Sequence, residues 1–263
     1  MDDAKNVNRL RRSLKSIEIG IKSRLERATE LRKDQKNIGA SLWSLILFFH
    51  RRAVLKYLLD ADLKGFFEDL NRSSLTYYAL LQAWHHKMDV PESRVNASTY
   101  EPLICSIAAG NLELLKNMNG LMPEAFGDYD SEELFTYTAL LRKLATRNQA
   151  EIETSFNTFA KTCKDFFRYN GKIQALEGIV RKNNDLFNDG LQSYLASFRT
   201  ISMEEAQEMD PGDEYLDLES LAYIQLAKHE GIPILVRHGM IPEELQDPKL
   251  AIPDSGYPKW PES

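Results

Sequence analysis

Residues 100–118, YEPLICSIAAGNLELLKNM, allow few folds. Leu103, Ile104, Ile107 and Ala108 recur at helical spacing, Gly110-Asn111 breaks the run, and Leu112, Leu114, Leu115 and Met118 open a second apolar stripe. Such a pattern predicts two antiparallel helices joined by a very tight turn. It recurs 37 residues later, where Leu140, Leu141, Leu144 and Ala145 lead through Thr146-Arg147-Asn148 to Ile152, Phe156 and Phe159. Asn111 and Asn148 hold equivalent places, and the side-chain oxygen of each can accept from the free N–H groups that open a helix. Glu151 stands three residues after Asn148, as in a capping box. Helical hairpins at this period predict a solenoid-like stack or irregular bundle, an architecture that commonly serves as a binding surface.

The rest of the chain agrees with an all-α fold. Residues 232–236 are the one short β-branched run, and Pro233 interrupts it. Val7, Leu10, Leu14, Ile17, Ile21, Leu25, Ala28 and Leu31 are spaced by three or four and predict a long first helix. Arg9, Arg11, Arg12, Lys15, Lys22, Arg24 and Arg27 fall on its outer face. Further helices are expected over 38–59, 63–70, 73–88 (capped by Ser73 or Ser74), from Ser98, from Ser131, over 148–169, 173–187 and 191–199, and from Leu216 to near Gly231. Six of the ten prolines follow residue 231, so residues 232–263 are expected to form an extended tail with a short turn at 242–245. The expectation is a single helical domain over 1–263, divided into 1–90, the hairpin part 98–231 and the tail.

Two cysteines, Cys105 and Cys163, both in apolar helical patterns, make no disulfide framework and suggest buried free thiols in a reducing compartment. The charged N-terminus lacks the apolar core of a secretory signal, and the apolar run 41–50 is about half a membrane span. The expected localisation is cytoplasmic, with no membrane partner. Residues 1–60 carry 14 Lys/Arg against 7 Asp/Glu, whereas residues 203–263 carry 4 against 14. This asymmetry predicts charged partners or contact between the two ends of the chain. The basic helix lacks interleaved aromatics, and with a net charge of −6 this argues against nucleic acid.

Five histidines, His50, His85, His86, His229 and His238, form no HExxH motif, and there is no CxxC or phosphate-binding glycine loop. On a helix His85 and His86 point about 100° apart. No catalytic residues, cofactor or metal are expected. The acidic segment stands out instead: Glu204, Glu205, Glu208, Asp210, Asp213, Glu214, Asp217 and Glu219 crowd around Pro211-Gly212. Eight carboxylates in so short a stretch would suit a basic partner, with charge speeding capture and buried aromatics supplying affinity.

Residues 217–231, DLESLAYIQLAKHEG, followed by Ile232-Pro233 and later Ile241-Pro242-Glu243, resemble the bacterial immunity protein 49 family. The turn IAAGNLELL at 107–115 resembles that family's helical hairpin. The resemblance implies an all-α protein of a polymorphic toxin system, not an enzyme, that neutralises a cognate toxin by direct binding inside the producing cell as a monomer or homodimer. On this view the eight acids are the expected partner-binding residues, and the toxin surface they meet is basic. The alternative is an intracellular helical-repeat scaffold or adaptor, distinguished by the absence of a neighbouring toxin gene.

Overall fold

The computed structural model describes residues 3–34, 38–147, 149–169, 171–204, 212–248, 252–253 and 255–258. Among these, ten α-helices and no strands occur. The first three are α1 (Asp3–Asp34), α2 (Ile38–Asp60) and α3 (Leu63–His85). Next come two hairpins, α4 (Glu101–Ala108) with α5 (Leu112–Asn119), and α6 (Glu132–Thr146) with α7 (Gln149–Cys163). A third pair, α8 (Lys172–Val180) and α9 (Asn184–Glu204), precedes the final helix α10 (Leu218–His229).

Helix α2 is long and apolar enough to cross a membrane by length and composition. Here it is a core helix between α1 and α3, with Leu45, Phe49, Ala53, Val54 and Leu55 fully buried. Helix α3 is continuous, so the break expected before Ser73 does not occur. Ser73 and Ser74 are buried, and their hydroxyls donate to the carbonyls of Ile46 (3.0 Å) and Pro102 (2.9 Å). Polar residues that would cap a free helix end here bind neighbouring backbone across packed helices. Asp62 supplies the true cap, accepting from Gly65 N. The basic front does meet the acidic part of the chain, since Arg9 pairs with Glu214.

In the α4–α5 hairpin, Gly110 takes φ +70°, which an L side chain rarely adopts, and Asn111 opens α5. The Asn111 side-chain oxygen accepts from Leu114 N (3.1 Å), and its amide donates to buried Asn71 Oδ1 of α3 (2.7 Å). Asn111→Ala should therefore cost about 2–3 kcal/mol, more than an exposed cap, because it also removes the Asn71 partner. Urea denaturation checks this; a loss below about 0.5 kcal/mol would show the cap to be idle.

The α6–α7 pair is longer, 15 residues per helix against 8 in α4 and α5. Arg147 ends α6 in the left-handed region, and Asn148, the expected cap of α7, lies outside the described residues. The Glu151 carboxylate pairs with Lys143. Helix α6 starts after Ser131 as expected, though the serine makes no capping bond and Glu132 and Glu133 supply favourable charge instead. Ser98 does not start α4; its N–H donates to Asp130 (2.7 Å), and the helix begins at Glu101. Helix α7 stops at Cys163, before a single 3-10 turn over Phe167–Tyr169.

The break between α8 and α9 falls at 181–183, earlier than the expected 188–190. Lys182 takes φ +52°, and Asn183 Oδ1 accepts from Leu186 N (3.0 Å), starting α9 there. Helix α10 is apolar on every side, with Leu221, Ala222, Tyr223, Ile224 and Ala227 fully buried, and packs on α4, α8 and α9. Among the described residues beyond it there is no further α-helix, only a turn at 239–240 and a 3-10 turn over Glu243–Leu245. Ile232, Val236, Ile241 and Leu245 are buried, while Asn188 brackets the segment by donating to Pro233 O (3.0 Å) and accepting from Leu235 N (2.7 Å).

Candidate partner interface

The acidic segment divides into an outward and an inward part. Glu205, Glu208 and Asp210 lie outside the described residues, as does the side chain of Glu204. Asp213 is half-buried, and Glu214 is exposed and paired with Arg9. Asp217, one of the expected partner-binding acids, is buried. It caps α10, accepting from Glu219 N and Ser220 N (both 3.2 Å) and from the Ser220 hydroxyl (2.5 Å). An aspartate one residue before an apolar helix serves the unpaired N–H groups of the first turn.

Glu219 also points inward. Its carboxylate pairs with Lys172 of α8 and lies 3.4 Å from the hydroxyls of both Tyr137 and Tyr194. Tyr137 and Tyr223 hydroxyls are 2.5 Å apart. The Lys172 ammonium lies over the rings of Tyr194 (4.9 Å) and Tyr169 (5.5 Å). Burial holds the Tyr137, Tyr194 and Tyr223 phenols far above their ordinary range, seconded by the Glu219 charge at Tyr137 and Tyr223 and by the Asp217 and then the Glu219 charge at Tyr194, so all three stay protonated and can donate. This nest joins α6, α8, α9 and α10. Reversing Asp217 or Glu219 would disrupt it, so neither residue can report on partner binding alone.

Burial, then the Glu219 charge, pushes the Asp217 carboxyl up to about 6 from 3.8. The folded state thus holds this proton more tightly than the unfolded state, and the contribution to stability falls as pH rises from about 4 to about 6. Asp217→Asn keeps a capping oxygen and removes the titration. Melting curves from pH 4 to 7.5 should show a shallower fall for the variant than for the parent protein, amounting to on the order of 1–3 kcal/mol over the window. Parallel profiles would contradict the assignment.

Burial pushes the Cys105 and Cys163 thiols up to about 12 and about 11, which keeps both protonated and unreactive. The His85 ring bonds Leu121 O (2.9 Å). His229 ends α10, and burial and then the nearby Arg147 lower its pKa, which disfavours the protonated imidazole. His238 Nδ1 accepts from Met240 N (3.3 Å). Among the described residues, no cluster of three or more His, Cys, Asp or Glu could hold a metal.

The 120–131 connector between α5 and α6 carries features that helical periodicity misses. Phe126 (55% exposed) and Tyr129 (61% exposed) stand out from it between Glu124, Asp128 and Glu132, all exposed. The connector is held in place at several points. Arg142 donates to Asn119 O (3.2 Å) and Pro123 O (2.9 Å), and His85 holds Leu121. Asp130 accepts from Gly127 N (2.8 Å) and Ser98 N (2.7 Å).

Fold and family comparison together define the class: an all-α immunity protein. The chain belongs to the immunity protein 49 family, whose model matches residues 83–245, from the end of α3 through the hairpins, the tyrosine nest and α10. Both segments that carry the sequence resemblance fall inside this match. No curated protein and no solved structure matches the chain.

Proposed function

We propose that this protein protects the cell that makes it by binding a cognate toxin directly and blocking it, without chemistry of its own. The match of residues 83–245 to the immunity protein 49 family carries this reading. Among its described residues an ion pair and a buried pair of phenols cross-link the helices of the matched region, so little ordering of that part is needed before a partner docks. The toxin surface is proposed to be basic, in keeping with the net charge of −6. Among the described residues of the acidic segment, exposed Glu214 is the proposed point of contact. The test is to express the toxin encoded beside this gene in a sensitive host, with and without this protein. Growth should be restored by this protein and not by an unrelated immunity protein. Unrelieved killing by an active toxin would count against the proposal.

A further inference from the structure

We infer that the 120–131 connector is the docking surface for the toxin, with Phe126 and Tyr129 as its anchors and a basic protein surface as its counterpart. The inference rests on the function proposed above and gives it a location.

Leaving two aromatic side chains in water is unfavourable, and a flexible loop would fold them away. Here the loop is fixed by Arg142, His85 and Asp130, and the Phe126 ring is held edge-on to Phe135 (centroids 5.4 Å apart). Rigid exposed aromatics lose little entropy on binding and are the residue type on which interfaces concentrate their energy. The surrounding charge selects the partner. Residues 117–141 contain five carboxylates and no Lys, Arg or His. Asp130 is used within the loop and Glu133 pairs with Arg168. Asp128 and Glu132 are exposed and make no ion pair among the described residues. An apolar centre rimmed by these two exposed acids fits a partner with a basic rim. Like charge on both faces disfavours a second copy of this chain.

The experiment uses the full chain and the purified toxin encoded by the adjacent gene, with binding kinetics measured at low and high salt. Phe126→Ala with Tyr129→Ala should keep the parent helicity, because both side chains are exposed, and weaken binding about 100-fold or more, mainly through faster dissociation. Asp128→Lys with Glu132→Lys should slow association about tenfold at low salt and flatten its salt dependence. Parent-like kinetics in both well-folded double variants, with toxin still bound by the parent chain, would overturn the location and leave the toxin-binding function standing. Absence of binding by the parent chain itself would overturn both. A parent chain that dimerises in sedimentation, and becomes monomeric in the aromatic variant, would assign the face to self-association and overturn the inference.

Discussion

Gly178→Ala should destabilise the protein by about 3 kcal/mol or more, one of the largest effects expected from any single methyl group in this chain. A Cβ at position 178 would lie 2.3 Å from Phe187 N and 2.5 Å from Phe187 Cα. One at Gly190 would lie 2.3 Å from Ala175 N. These obstacles are backbone atoms of the partner helix, so no rotamer change relieves them; α8 and α9 must move apart. Separation would loosen Lys172 and Tyr194, which face Glu219 from those two helices. Gly239→Ala is the control, because a Cβ there meets nothing within 4 Å. Urea midpoints should separate the two variants clearly. Equal midpoints would mean that the α8–α9 contact is not the close approach described.

A loss of about 3–5 kcal/mol is expected for Asp69→Ala. Asp69 is fully buried on α3 and takes a two-pronged contact from Arg52 (2.7 and 2.6 Å) and a further bond from Arg72 (2.6 Å), with Lys56 at 3.7 Å. Removing the carboxylate leaves partly buried guanidinium groups without their counter-charge, a larger penalty than the net value of the intact cluster. Arg181→Ala deletes an exposed i,i+4 pair with Glu177 and should change stability by less than about 0.5 kcal/mol. If the two substitutions cost the same, the α2–α3 cluster contributes no more than a surface ion pair.

Local signals in the sequence are legible where the adjacent chain supplies the partner. Asn111 caps the helix that begins beside it, and the three-four spacing from Val7 onward marks α1. Signals whose partner is remote in sequence mislead. Ser73 and Ser74 have cap chemistry, but their acceptors are carbonyls on α2 and α4. Gly178 and Gly190 would pass as weak points of a helix; only the crossing with the partner helix explains why they lack side chains. The same distinction governs the interface. Asp217 and Glu219 count as acidic residues in a composition, yet the apolar surroundings of α10 turn them inward to the cap and to Lys172. Phe126 and Tyr129 have no period to reveal them, and their exposure follows from tethers at Ser98, His85 and Arg142, two of them more than 30 residues away in sequence.

Neutralisation by binding, rather than by destruction or modification of the toxin, is tested most directly by stoichiometry. A fixed amount of active toxin is titrated with this protein, and the residual toxin activity is followed to completion. The account predicts a linear fall that ends at a fixed molar ratio, with intact toxin recovered in the complex. Loss of all toxin activity at a small fraction of that ratio, or recovery of cleaved or covalently altered toxin, would contradict it.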